Sequence, residues 1–242
     1  MIHCQFFIFM VLGLLPSFIW LLFYLRKDQK PEPNKMILFV FLLGMLITLP
    51  AAGIEKFFSE LMITNLKLST AGYYLIYFLA VVGITEELLK YLTVRFSALK
   101  TMEFDEPIDA MIYMIIAGLG FAAIENILVL WTLKQPLLLE HALLALWGRF
   151  IGATLLHALA AANVGFFIAL SFFRVRYRIV LIFVGILSSA VLHGIYNIGI
   201  KMEGGLALLV SGTVLISLFI LVLFEFQEIK KLLGVCRVKL LK

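Results

Sequence analysis

Long apolar runs separated by short polar loops dominate this sequence. Seven runs reach or exceed the roughly 20 residues that an α-helix needs to cross the hydrocarbon core of a bilayer. The fifth run is longer than one crossing requires, so we expect it to tilt or to extend past the bilayer. The pattern predicts an all-α, polytopic membrane helix bundle with about seven transmembrane helices, at residues 4–25, 36–58, 71–97, 107–133, 139–173, 177–200 and 205–227.

The composition also indicates a membrane protein. Hydrophobic residues make up 63% of the 242 residues, whereas a soluble domain is about half apolar. No long polar block remains, so we expect residues 1–242 to form a single integral membrane domain, multi-pass in the cell membrane. The net charge of +5 does not indicate nucleic-acid binding, because the basic residues flank the apolar runs as membrane topology requires.

The placement of lysine and arginine predicts how the helices are oriented. With the N-terminus outside, the inner loops and the C-terminal tail hold most of the 20 lysines and arginines. The outer loops then hold only Lys56, Lys67, Lys134 and Lys201. Because basic residues are enriched on the cytoplasmic side, we expect the N-terminus outside and the C-terminus inside.

Several acidic and imidazole groups fall inside these apolar runs. A charged side chain at the centre of a spanning helix costs about 2.5–3.5 kcal/mol on insertion scales, and such residues mark sites of chemistry or transport. These groups lie on four different predicted helices, so we expect one shared polar site. They are Glu86, Glu87, Glu125, His157 and His193.

The first motif is Glu86-Glu87-Leu-Leu-Lys90. Glu86 and Lys90 are four residues apart and share a helix face, while Glu87 points about 100° away. Lys90 can hold one carboxylate ionised, and a carboxylate so poised suits a general base acting on water. A structural ion pair that ties helices together explains the motif equally well.

The next two motifs place a polar residue among small ones. Glu125 lies in Phe121-Ala-Ala-Ile-Glu125-Asn126, and His157 follows a Gly-x-x-x-Gly step. Small residues let another helix or a substrate approach closely. Taken alone, Glu125 is either a proton carrier or a packing hydrogen bond, and His157 is better explained by an interhelical hydrogen bond than by catalysis.

The fourth motif pairs His193 with Asn197, one helical turn later. Both side chains can therefore point at the same spot, and both can donate hydrogen bonds, as an oxyanion hole requires. They could equally hold each other or a backbone carbonyl. No single motif decides between chemistry and structure, but the combination favours chemistry because each polar residue costs insertion energy.

These four motifs, in this order, resemble the PrsW family of intramembrane proteases. That family belongs to a superfamily with the CAAX prenyl endopeptidases and bacterial Abi proteases. The likeness covers roughly residues 80–200, within a motif-bearing core of about 71–200. The CAAX branch has histidine where Glu125 stands and a longer spacing to arginine where Lys90 stands, so prenyl-protein processing is the second choice. The matching residues are Glu86-Glu87-Lys90, Phe121-Glu125, His157 and His193-Asn197.

The resemblance implies hydrolysis of peptide bonds in a membrane-embedded or membrane-tethered protein. By analogy, Glu86 would activate water and His157 would help to position it. His193 and Asn197 would stabilise the tetrahedral oxyanion. Glu125 would share a proton with the Glu86/Glu87 pair or hold the water. We expect Glu86 rather than Glu87 to be the base because it shares a face with Lys90; the supporting residues are Lys90, Phe121 and Asn126.

A zinc site is a second possibility at the same place, with ligands among Glu86, Glu125, His157 and His193. No His-Glu-x-x-His spacing is present, and a glutamate-activated water needs no ion, so we expect a glutamic-type protease rather than a metalloprotease. The expected partners are the lipid bilayer and a membrane-protein substrate, typically a membrane-spanning anti-sigma factor in PrsW-like systems. The oligomeric state cannot be predicted from the sequence.

Two non-enzymatic functions compete with the protease. In a proton-coupled transporter, Glu86, Glu125, His157 and His193 would form a relay. The odd number of predicted helices and the absence of an inverted repeat argue against that function. A seven-helix receptor or scaffold would share the topology but would leave the buried acids unexplained unless they bind a ligand.

Overall fold

The computed structural model describes residues 2–26, 30–132 and 139–232, and every regular element in these residues is helical. Six helical segments of this part of the chain are long and apolar enough to cross a membrane. The predicted all-α, multi-pass membrane fold is therefore confirmed. The α-helices are α1 (Ile2–Leu25), α2 (Asn34–Asn65), α3 (Thr70–Ile76), α4 (Ile84–Phe96), α5 (Pro107–Thr132), α6 (Leu139–Ile151), α7 (Ala153–Phe173), α8 (Arg178–Lys201) and α9 (Gly204–Lys231).

The third predicted run is helical throughout but changes its winding. After α3, a π-helical segment covers Tyr77–Gly83 and leads directly into α4. Gly83 and Gly194 permit this segment to lie against α8, since a Cβ on either would meet a backbone oxygen of the other helix. π-Helical turns are frequent at functional sites. Here the segment ends immediately before the helix that carries the two glutamates.

The fifth predicted run is one long helical rod with an interruption. The α6 and α7 helices meet at Gly152, whose backbone angles (φ −93°, ψ −100°) are not helical. A Cβ at this position would collide with the hydroxyl of Tyr196 and lie 2.7 Å from the carbonyl oxygen of Gly148. Glycine therefore allows the rod to change direction where it passes α8.

The α5 helix forms the centre of the bundle. Nearly every side chain from Pro107 to Ala123 is buried, and α1, α2 and α7 pack around it. Close approach depends on small residues, as is usual between helices in lipid. Gly44 of α2 and Gly120 of α5 each face a backbone carbonyl of the other helix. This contact holds α2 beside the motif-bearing helix.

The predicted orientation of the termini depends on basic residues in the loops and in the tail. Lys134 and the basic residues of the C-terminal tail after residue 232 lie outside the described residues. The placement with the N-terminus outside therefore stays a prediction.

Substituting Gly44 by alanine should destabilise the protein by about 1–3 kcal/mol, the usual cost of overpacking. The added Cβ would overlap the carbonyl oxygen of Ala117, and rigid backbone cannot yield cheaply. Gly53 on the same helix is the matched control, because no atom of a neighbouring helix lies within 4 Å of its Cβ position in the described residues. Thermal unfolding in detergent measures both variants. Equal melting temperatures for the two would contradict the tight α2–α5 contact.

Candidate active site

Lys90 is the centre of a buried polar cluster. Its Nζ donates to Oε1 of Glu87 at 2.8 Å, to Oε2 of Glu86 at 3.3 Å and to Nδ1 of His157 at 2.9 Å. The side chain is fully buried, and its ammonium also lies 4.7 Å above the ring centre of Phe121. All three donors of the ammonium are thus used. One positive charge compensates two carboxylates and ties α4 to α7.

The contacts of His157 define its tautomer. Because Nδ1 accepts from the ammonium of Lys90, the ring proton belongs on Nε2. Nε2 then donates to Oε2 of Glu125 at 2.8 Å. The same Glu125 oxygen accepts from Nη2 of Arg149 at 3.0 Å. His157 is therefore held between a cation on one side and a paired carboxylate on the other.

His193 is oriented by the second glutamate of the motif. Its Nδ1 lies 2.9 Å from Oε1 of Glu87, and a carboxylate can only accept, so Nδ1 carries a proton. Its Nε2 lies 3.7 Å from Oε2 of Glu86. The rings of His157 and His193 meet edge to face with their centres 4.9 Å apart. The two histidines thus approach Glu86 from α7 and α8.

A cavity of about 320 Å³ reaches Glu86 but not Glu87. Glu87 is fully buried behind it, and its Oε2 has no hydrogen-bond partner in the described residues. Proximity to Lys90 does not single out Glu86 as the base, although the helix spacing predicted that it would, because the ammonium lies closer to Glu87. Access to the cavity distinguishes the two carboxylates instead. Its polar and charged lining includes Thr48, Glu55, Tyr77, Glu86, Glu125, Arg149, His157, His193 and Asn197.

The remaining predicted residues fall into two groups. Asn197 and Phe121 line the cavity, and the ring centre of Phe121 lies 5.5 Å from that of His157. Asn126 points away from it: its Nδ2 donates to the carbonyl of Gly13 at 3.2 Å, and its Oδ1 accepts from Nε of Arg149. Asn126 therefore fixes the arginine that holds Glu125.

Sequence reasoning missed two residues of this site. Arg149 is a single charge within the fifth predicted span, and it pairs with Glu125. Glu55 lies beside Lys56 near the predicted end of the second apolar run, and it lines the cavity. The available signal was weak in both cases: a single charged residue inside a hydrophobic run, with no partner motif nearby.

The donor atoms of the cluster suit a transition metal such as zinc. One ligand atom each from Glu86, Glu87, His157 and His193 lies within 4.8 Å of the others. Oε2 of Glu86 is 3.6 Å from Nδ1 of His157 and 3.7 Å from Nε2 of His193. Bond lengths of zinc imply about 3.3 Å between tetrahedral ligands, so small shifts would suffice.

The second hydrogen bonds of the histidines also fit a metal site. His157 and His193 each direct their other nitrogen to a carboxylate, as metal-bound histidines usually do. The ammonium of Lys90, however, contacts two of the same donor atoms, one on Glu86 and one on His157. An ion and this ammonium would therefore compete for these lone pairs.

Comparison with known proteins links the chain to one family. Residues 32–224 match the family described as PrsW family intramembrane metalloprotease. Protease PrsW of Geobacillus kaustophilus is 30% identical over 175 residues, covering 72% of this chain and 71% of the relative. Protease PrsW of Oceanobacillus iheyensis is 28% identical over 218 residues, covering 89% and 93%. Protease PrsW of Bacillus subtilis is 27% identical over 176 residues, covering 72% and 74%. No solved structure matches the chain significantly.

Proposed function

The chain belongs to the PrsW family of intramembrane proteases, and we propose that it cleaves membrane-embedded or membrane-tethered proteins with a water activated by Glu86. It is a multi-pass integral membrane endopeptidase. The observation that carries the proposal is that the cavity reaches Glu86 and leaves Glu87 buried behind it. Water and a substrate carbonyl must both reach the base, and of the two adjacent glutamates Glu86 is the one that lines the cavity. Residues 1–242 would act as one domain around the core at 71–200.

Glu86 would remove a proton from the attacking water. The ammonium of Lys90 favours the charged form of this carboxylate, since it lies 3.3 Å from Oε2. Nδ1 of His157 lies 3.6 Å from the same oxygen, and because both ring nitrogens are already bonded, the ring would position the water by its shape. Glu125 would act on His157 rather than on the substrate, because its bond to Nε2 fixes the tautomer in which Nδ1 accepts from Lys90.

His193 and Asn197 would stabilise the oxyanion of the tetrahedral intermediate. Both line the cavity one helical turn apart. Nδ1 of His193 already donates to Glu87, so donation to an oxyanion requires a second proton on Nε2. Glu87 would stabilise that imidazolium by its charge. Its role is therefore to position and charge His193, which differs from the role of the base.

Metal-assisted hydrolysis at the same place is the second candidate, favoured by the convergence of Glu86, His157 and His193 described above. Those three residues would hold the ion, with Glu125 and Glu87 bonded to the two histidines. Such an ion, when bound, would supply Lewis-acid activation of water and of the substrate carbonyl. Lys90 would then keep its bond to Glu87, at 2.8 Å the shorter of its two carboxylate contacts.

Treatment with a chelator should separate the two mechanisms. Purified protein in liposomes would be given single-pass membrane proteins tagged at both ends, and cleavage would be followed by the size of the tagged fragments. For the metal-free mechanism we expect cleavage to survive excess chelator and to be lost in His193→Ala. Loss on chelation that zinc restores would instead assign Glu86, His157 and His193 to an ion. Cleavage that survives excess chelator and also persists in His193→Ala would contradict this site.

The proposed substrate is a membrane protein of the anti-sigma type. A CAAX-type activity is the alternative substrate class, and a prenylated peptide added to the same liposomes tests it. A proton-coupled transporter would show flux that depends on a proton gradient and no cleaved product. The transporter is the weaker proposal, because the curated relatives are named as proteases.

A further inference from the structure

Glu55 places a further carboxyl group on the wall of the active-site cavity. It belongs to α2 and lines the cavity with Glu86 of α4 and Glu125 of α5. The mechanism above uses Glu86 as the base and Glu125 to orient His157, but it gives Glu55 no task. This residue is therefore the part of the cavity wall that the hydrolysis itself does not explain.

The other two carboxyl groups of the cavity are already paired with cations. Glu86 accepts from Lys90 at 3.3 Å, and Glu125 accepts from Arg149 at 3.0 Å. Oε1 of Glu55 is buried and has no hydrogen-bond partner in the described residues. Its neighbour Lys56 lies within ion-pair distance of Glu60 instead, at 3.9 Å.

A buried carboxylate oxygen without a hydrogen-bond partner is costly. Burying a polar group without a hydrogen bond costs free energy, and ionisable residues inside spanning helices usually mark substrate pathways. The surrounding turns of α2 present Ile54, Phe57 and Phe58 to the outside of the bundle, so Glu55 has apolar neighbours on its own helix. A positively charged group entering the cavity would supply the missing partner.

We propose that Glu55 binds a lysine or arginine side chain of the membrane-protein substrate close to the scissile bond. The proposal rests on the proteolysis proposed above and adds the substrate class. Lysine and arginine have long apolar stems, which let a charged end reach a buried acceptor from within a transmembrane segment. Arg149 and His157 are already bonded to Glu125, and His193 is already bonded to Glu87. Glu55 is therefore left for the substrate.

A charge-reversal experiment tests this recognition. The reporters are tagged single-pass segments that carry lysine, glutamine or glutamate at each position in turn, reconstituted with the purified full chain. When the variable residue stands at one or two neighbouring positions of the reporter segment, we expect kcat/KM for the lysine reporter to exceed that for the glutamate reporter by at least about tenfold. Close charge pairs allow a difference of this size. Glu55→Gln should bring the ratio near one, and Glu55→Lys should invert it.

The matched control is Glu60→Lys, five residues further along α2. Glu60 is exposed and lies outside the cavity. This variant changes the charge of the helix by the same amount, so we expect it to keep the wild-type ratio of lysine to glutamate reporters. A loss of preference in Glu60→Lys as well would show a general effect of surface charge and would overturn the proposal.

Failure of this proposal can be told apart from failure of the proposed function. If Glu86→Gln abolishes cleavage but Glu55→Lys leaves the reporter ratio unchanged, recognition by Glu55 is wrong and the proteolytic site stands. If no reporter is cleaved, or if Glu86→Gln still cleaves, the proposed proteolytic site is wrong. Recognition by Glu55 is then tested by binding of the reporter peptides instead of by cleavage. Fluorescence anisotropy of the reporter peptides with Glu86→Gln protein in nanodiscs should then show tighter binding of lysine, reversed in Glu86→Gln/Glu55→Lys. Equal binding in both proteins would overturn recognition.

Discussion

Replacing Glu86 by glutamine should lower peptide-bond hydrolysis by about 10²–10⁴-fold, the usual contribution of a general base. Glutamine keeps the shape of the side chain and can still accept a hydrogen bond from Lys90, but it cannot take a proton from water. The fold should survive, because Lys90 retains Glu87 at 2.8 Å. Initial rates of reporter cleavage in liposomes, together with thermal unfolding in detergent, measure the two effects separately.

Two further variants make the assignment of Glu86 specific. Glu60 is exposed on α2, so Glu60→Gln should leave the rate of reporter cleavage at the wild-type value. Glu87→Gln removes the negative charge that would stabilise a protonated His193 without removing the base, so we expect a smaller loss than in Glu86→Gln. If Glu87→Gln instead shows the larger loss, the two carboxylates have exchanged roles and the cavity is not the deciding feature.

Replacing Lys90 by methionine should destabilise the protein by about 3–5 kcal/mol, the cost of leaving a buried charge without its partner. Methionine has a similar length and no charge. The variant leaves Glu86 and Glu87 side by side with no ammonium, and His157 loses its donor at Nδ1. The expected result is a lower melting temperature in detergent together with loss of cleavage.

Charge balance can be tested directly by a second substitution. In Lys90→Met/Glu87→Gln one of the two uncompensated carboxylates is neutral, so we expect part of the lost stability to return. Lys56→Met is the matched control, because Lys56 and Glu60 are exposed and surface pairs contribute little. If Lys90→Met melts at the wild-type temperature, the ammonium does not compensate the carboxylates, and the account of the cluster is wrong.

The sequence predicted the helical membrane architecture and the residues that meet in the cluster. Spanning helices are readable because about 20 consecutive apolar residues have few other stable environments. The polar residues can be predicted for the same reason. Exposing Glu86, Glu125, His157 or His193 to lipid would cost free energy, and a shared polar interior avoids that cost. The structure brings all four together around one cavity.

The pairing within the cluster could not be predicted, because it depends on how helices far apart in sequence are turned toward one another. The ammonium of Lys90 lies closer to Glu87 than to Glu86, although helix periodicity had favoured Glu86. Glu87 is enclosed while Glu86 faces the cavity. That difference arises from the packing of α4 against α7 and α8.

A helical membrane protein with a polar interior can be predicted from the local sequence, because hydropathy and insertion cost act on each segment alone. Which groups the cavity exposes depends on how the helices pack. Glu55 belongs to the site because α2 packs closely against α5, which Gly44 and Gly120 permit, and Arg149 belongs to it because the chain changes its backbone angles at Gly152 between α6 and α7. The local sequence indicates that a polar side chain must avoid lipid. Which partner that side chain finds depends on contacts between helices that are far apart in the sequence.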